Sequence, residues 1–231
     1  MSFKLASKKD IKIKAAISSL AGAGKTFGAL SVAKGMMNGD ISKVALIQTE
    51  TGRAQLYTSR LGAFNVLDIH PPFTPQKFIS AIEEAEKMKF RLVIIDSLSD
   101  AWGGLGGCLD MHQEASDQLK NSFSAWKRIT PQWEALLNKI LSSELHIFCT
   151  IKKKADYVIE ADEKGRQVPK KVGLADVIRE GTDYRFMIQF EIDRDSHLSR
   201  VSKDNTGLFE GREPFLLTEA IGKEIRDWCL E

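Results

Sequence analysis

Cysteine is scarce in this chain and unpatterned. Cys108, Cys149 and Cys229 are far apart and form no Cys-x-x-Cys pair. That argues against a zinc site and fits a reducing compartment. His70, His112, His146 and His197 show no metal-ligand spacing among themselves. Asp193, Asp195 and His197 alternate and can share one strand face, a pattern that a solvated strand end also produces. No apolar run reaches membrane length, and the lysine-bearing start, Met1 to Lys14, lacks the apolar core of a signal peptide. These absences predict an intracellular, soluble protein with no membrane partner. Charge of one sign is lacking too: 33 Lys and Arg against 31 Asp and Glu leave a net charge of +2. A nucleic-acid partner would therefore have to be met by local clusters. No repeat, low-complexity tail or linker divides the 231 residues, which predicts one domain over 1–231.

What the chain does have is Ser19-Leu20-Ala21-Gly22-Ala23-Gly24-Lys25-Thr26, set between an apolar run (Ala15-Ala16-Ile17-Ser18) and a helix-like segment from Phe27 to Met37. Strand, glycine-rich turn, Gly-Lys-Thr and helix is the layout of a phosphate-binding P-loop. Backbone amides in such a turn, backed by a helix N-terminus, face anionic oxygens. The candidate nucleotide-binding residues are Ser19, Ala21, Gly22, Ala23, Gly24, Lys25, Thr26 and Phe27. Lys25 would reach the β- and γ-phosphates of ATP, and the Thr26 hydroxyl would ligate Mg²⁺. Ser19 stands where the strict pattern has glycine.

Apolar runs at Val44–Ile47, Val66–Ile69, Leu92–Ile95 and His146–Ile151 read as buried strands. Helical spacing connects them over Arg53–Leu61 and Pro75–Lys89, with Thr74 as the candidate cap of the second. The order β-α-β-α-β-α-β predicts an α/β fold with a mostly parallel central sheet flanked by helices. Trp102 to Gly107 reads as a mobile glycine-rich loop, Leu109 to Trp126 as helix, and Pro131 as the opening of a further helix through Leu141. Residues 152–173 read as a long basic hairpin or loop. Tyr184–Ile192 and Leu198–Lys203 read as an antiparallel extension near the C-terminus, and 218–231 as a terminal helix.

Asp96 closes an apolar strand downstream of the P-loop, where a carboxylate can hold Mg²⁺ opposite Thr26. Glu50 ends the strand after the P-loop helix. A carboxylate there can polarise a water for attack on a γ-phosphate, or can be a surface residue beside a turn. Lys152, Lys153, Lys154, Lys164, Arg166, Lys170 and Lys171 form a basic cluster interrupted by Glu160, Asp162 and Glu163. It can be a single-stranded DNA contact, with Tyr157 stacking on a base, or a solvated hairpin.

Ala45 to Glu50, Leu92 to Ser97 and Ile147 to Lys152 resemble the core of RecA-type recombinases. The resemblance implies a RecA-like P-loop NTPase core in which Glu50 is the catalytic glutamate and Thr150 the γ-phosphate sensor, where RecA has glutamine. Closer still, Asp96-Ser97, Trp102-Gly103-Gly104, Pro169 to Gly173, Arg179-Glu180-Gly181 and Ser202 to Phe209 resemble phage-encoded RecA-like ATPases of the Sak type. That similarity runs from Ile13 to about Phe209. It implies a catalytic set that includes Glu50, Lys25 and Thr150. Ser202 to Gly207 also resembles the Lys-x-Arg finger of hexameric RecA-fold helicases, which implies that Lys203 acts on a neighbour's nucleotide, with Asn205 standing where an arginine is expected. The Sak-type similarity also implies single-stranded DNA as partner, a homo-oligomer (ring or filament), an accessory single-strand DNA-binding protein, and the cytoplasm of a bacterial host. A helicase-like or loader ATPase, or a nucleotide-gated structural protein, would share these motifs.

Overall fold

The computed structural model describes residues 5, 7–8, 11–161 and 167–231, with 157–161 and 168–172 described for the backbone alone. Among the described residues eight strands form the sheet: β1 (Lys14–Ser19), β2 (Val44–Gln48), β3 (Asn65–Asp68), β4 (Leu92–Asp96), β5 (His146–Ala161), β6 (Gln167–Asp176), β7 (Ile188–Ile192) and β8 (Ser199–Asp204). The helices are α1 (Lys25–Met36), α2 (Thr58–Leu61), α3 (Pro75–Lys87), α4 (Leu98–Gly103), α5 (Cys108–Leu119), α6 (Ser122–Ser142) and α7 (Glu219–Leu230). Sheet order is β3-β2-β4-β5-β1-β7-β8, with β6 pairing β5 off this path. β3, β2, β4, β5, β1 and β7 are mutually parallel, and β8 returns antiparallel to β7. This is the expected α/β architecture: a mostly parallel sheet, helices on both faces, and an antiparallel pair near the C-terminus.

β1, β2 and the first four residues of β4 are wholly buried because both sheet faces are covered. One face packs Leu30, Val32, Leu46, Phe190, Ile221 and Ile225 under α1 and α7; the other packs Phe78, Ile82, Trp133, Leu136 and Ile140 under α3 and α6. Glycines let α1 and α7 nearly touch. A Cβ on Gly35 would lie 1.9 Å from the Glu219 carbonyl oxygen, and one on Gly222 would lie 1.9 Å from that of Val32. Among the described residues no helix is long and apolar enough to cross a membrane.

Several sequence expectations change. Trp102 to Gly107 is not wholly loop: Trp102 and Gly103 end α4. Trp102 stacks on Trp126 at 5.7 Å and meets Trp133 edge-on at 5.2 Å, and that packing outweighs the glycine-rich composition. The long polar stretch divides at Lys120, in a left-handed conformation, and restarts where Asn121 Oδ1 accepts from the Ser124 amide at 3.0 Å. Pro131 lies inside α6 instead of opening a helix. The segment from Arg53 is a 3₁₀ turn (Ala54–Tyr57) before the four residues of α2. Thr74 occupies the N-cap of α3 without a side-chain bond.

Candidate nucleotide site

The sheet order decides what meets at the carboxyl ends of the strands. β1 delivers the loop 19–25, and β4 delivers Asp96 two strands away. β5 runs between them with Thr150 opposite Ile17. Thr26, in the first turn of α1, donates its hydroxyl to Asp96 Oδ2 at 2.6 Å. Thr150, fully buried, donates its hydroxyl to Asp96 Oδ1. The two proposed metal-holding groups are therefore in direct contact, with the proposed sensor on the other carboxylate oxygen.

Gly22 and Gly24 have φ of 82° and 95°, left-handed values that favour glycine. A Cβ on either would meet nothing within 4 Å, so the demand is conformational rather than steric. Ala21 is exposed and Ala23 buried. The His197 ring lies with Nδ1 3.2 Å from the Ala23 carbonyl, which it can address only as a donor, so the turn between β7 and β8 braces the loop. Phe27 is half-buried, with the Arg60 guanidinium 4.1 Å from its ring centre and the Tyr57 ring 5.6 Å away.

Lys25 Nζ spends its three protons inside the loop: on the Ser19 carbonyl at 3.0 Å, Ser19 Oγ at 2.9 Å and the Leu20 carbonyl at 3.0 Å. Burial lowers its pKa from the ordinary lysine value, with the Asp96 carboxylate opposing that shift. A half-buried, partly desolvated cation beside two left-handed glycines suits a polyphosphate. The Thr26–Asp96 oxygen pair suits Mg²⁺, a hard cation that keeps several waters. The residues fit ATP·Mg²⁺.

Glu50 follows β2 on the same edge, exposed, in a turn. Arg53 Nη1 donates to its Oε2, and Lys152 Nζ lies 3.5 Å from its Oε1. Lys152 also holds Asp100 at 2.8 and 2.9 Å. Lys153 is mostly buried, 3.1 Å from Asp176 Oδ1 and 3.5 Å from Glu191. Two of the three lysines in the basic run thus lie against acids of the same chain, and Lys154 is the exposed one.

Beyond them β5 and β6 pair antiparallel from Lys153↔Asp176 to Ala161↔Gln167, with Tyr157 opposite Lys171 and Val158 opposite Lys170. The side chains of Tyr157, Lys170 and Lys171 lie outside the described part, and Lys164 and Arg166 lie outside the described residues altogether. Lys203 sits on β8 and donates to the Tyr184 carbonyl at 2.6 Å. It borders a cavity of about 650 Å³ with Arg200, Phe209 and Arg212, to which the P-loop contributes nothing.

Sequence reading missed Asp100. It accepts from Thr49 Oγ1 at 2.6 Å, Ser97 Oγ at 2.8 Å and Lys152. The only sequence signal is an acid four residues after Asp96 in Asp-Ser-Leu-Ser-Asp, which also occurs at ordinary helix starts. No curated protein matches the chain significantly. Residues 11–207, most of its length, match the family described as an AAA domain, and the chain belongs to that family of nucleotide-binding P-loop NTPases.

Proposed function

We propose that the chain is an ATP-binding, weakly hydrolysing RecA-like ATPase that binds single-stranded DNA and promotes strand annealing or recombination of the phage Sak type. It would work as a homo-oligomer, ring or filament, in a bacterial host cytoplasm, alongside an accessory single-strand DNA-binding protein. The observation that carries the ATPase reading is the Thr26–Asp96 contact of 2.6 Å at the mouth of a left-handed glycine loop. The DNA reading is supported by the β5–β6 hairpin, which leaves the same strand that carries Thr150, and by the resemblance of the segments around it.

Bound ATP·Mg²⁺ supplies the scissile phosphoanhydride and the charge that polarises it. The loop amides from Gly22 to Thr26 and the Lys25 ammonium hold the phosphate chain. Thr26 and Asp96 would hold the metal, and Thr150 fixes the Asp96 carboxylate. Glu50 orients and polarises a water once an oxygen of its carboxylate is free. Lys203 is the candidate contact to a neighbouring subunit's nucleotide.

A second reading, a nucleotide-gated structural protein with little hydrolysis, is favoured by one observation: both Glu50 oxygens face cations of the chain itself. One titration tests these readings: oligomer mass and ATP turnover, with and without single-stranded DNA. DNA-stimulated turnover supports the first. Assembly on ATP without turnover supports the second, and neither response overturns both. Lys25→Ala should abolish ATP binding; retained tight affinity would remove the P-loop assignment.

A further inference from the structure

Asp100 lies in α4, outside every motif that points to the nucleotide, yet its carboxylate collects the residues that flank the site. Thr49, next to Glu50, donates to Oδ2 at 2.6 Å. Ser97, next to Asp96, donates to Oδ2 at 2.8 Å. Lys152, on β5, donates to Oδ1 at 2.8 Å and Oδ2 at 2.9 Å. The neighbouring Ser99 Oγ accepts from the Lys152 amide at 2.8 Å, so α4 grips β5 through main chain and side chain together. Thr49 completes the frame: its amide donates to the Asp96 carbonyl at 2.9 Å, and its hydroxyl oxygen, whose proton goes to Asp100, accepts from the Ser97 amide at 3.2 Å. The Asp100 side chain is only 13% exposed.

We infer that Asp100 is a positioning residue for ATP hydrolysis. It ties the ends of β2 and β4 to β5 and keeps the Lys152 ammonium from closing further on Glu50. The inference rests on the ATPase reading above and adds a residue to it. Lys152 has two carboxylates in reach, Asp100 at 2.8 Å and Glu50 at 3.5 Å. A shared cation goes where attraction and alignment are better, and that is Asp100, with two bonds. While Asp100 keeps Lys152, the Glu50 Oε1 edge remains the more weakly held of its two edges. If Asp100 loses its charge, Glu50 is the carboxylate that remains beside Lys152. A tighter Lys152–Glu50 pair would then occupy the oxygen that must receive a water. Asp100 touches neither Lys25 nor Thr26, so its loss should leave nucleotide binding intact.

The test measures steady-state ATP turnover and the affinity for a non-hydrolysable ATP analogue on the full chain, with thermal melting as the folding control. The proteins are wild type, Asp100→Asn, Asp100→Asn/Lys152→Met and Thr49→Val. Asp100→Asn should lower kcat about tenfold and leave affinity within threefold. Adding Lys152→Met should recover at least threefold of that loss, because the cation that closes on Glu50 is gone. A purely structural role for Asp100 would not be rescued by removing its partner. Thr49→Val, nearly isosteric, should lower kcat threefold or more with affinity kept, and it carries the test if Asp100→Asn does not fold. The inference is overturned by a kcat within threefold of wild type, by affinity lost in parallel, or by no recovery in the double variant. Wild-type protein without any turnover overturns the ATPase reading itself, a different result from a wild type that turns over and an Asp100→Asn that matches it.

Discussion

The Lys25 ammonium lies 2.9 Å from the hydroxyl of Ser19, at the position where the P-loop pattern has a glycine. That hydroxyl is one of three acceptors that together use every proton of the ammonium. Phosphate oxygens must compete with all three. A hydrogen bond to a charged group contributes about 1.5–3 kcal/mol net of its exchange with water. Removing one acceptor should therefore favour the phosphate by somewhat less than that. Ser19→Ala is the cleaner change, since Ser19→Gly adds chain entropy. We expect Ser19→Ala to tighten ATP binding by roughly three- to tenfold, a tenfold change being about 1.4 kcal/mol. Calorimetric titration reads it directly. Weaker binding in Ser19→Ala would mean that the hydroxyl assists the nucleotide instead.

Glu50→Gln separates binding from chemistry. The variant keeps the side-chain shape but cannot take a proton, and general-base contributions are typically about 10²–10⁴ in rate. Turnover should fall by about a hundredfold or more while ATP affinity stays within a few fold. The pair with Arg53 is exposed and local, so little stability rides on it. Unchanged turnover takes Glu50 out of the mechanism.

The parts of this site that could be read from sequence are those whose cause is local. Residues 15–17, 44–47 and 92–95 are apolar without a break because both faces of a parallel sheet are covered, and the turn carrying Gly22 and Gly24 follows the first of these strands. Asp96 could be placed because it ends such a run. Asp100 could not, because its partners Thr49, Ser97 and Lys152 come together only when β2, β4 and β5 are neighbours in that order. The same holds for Lys152 and Lys153, which read as free positive charge until Asp100, Glu50, Asp176 and Glu191 are set beside them. Trp102 reads as loop until Trp126 and Trp133, both on α6, pack against it.

That difference reshapes the nucleic-acid prediction. Each phosphate that the protein no longer neutralises in a single-strand complex should reduce the salt dependence of log K by about 0.7. Lys154→Ala, at the exposed member of the triplet, should give close to that change. Lys153→Ala should leave the slope alone and destabilise the fold, because Asp176 is buried enough for desolvation to raise its pKa and Lys153 is the first group opposing that shift. Salt titrations of oligonucleotide binding, paired with thermal melts, distinguish the two lysines. Equal slopes for wild type and Lys154→Ala would make the root of the hairpin a solvated surface.

Stability should carry a histidine signature from the opposite end of the sheet. His146 Nδ1 accepts the Ile13 amide proton at 3.1 Å, which requires the neutral ring. Burial, with Lys12 and Lys14 adding repulsion, lowers its pKa from 6.5 to about 4. Below about pH 6.5 the unfolded chain takes up a proton that the folded chain refuses, so stability is lost as pH falls from there towards 4, by up to about 1.4 kcal/mol per pH unit for one group. Above 6.5 both states carry a neutral ring and the contribution is flat. His146→Asn keeps an acceptor for the Ile13 amide without a titrating ring. Denaturant unfolding between pH 7 and 5, above the range where most carboxylates titrate, should slope downward towards acid in the wild type and run nearly level in the variant. Parallel curves would show that the proton enters elsewhere and that the Ile13–His146 bond does not govern acid stability in that range.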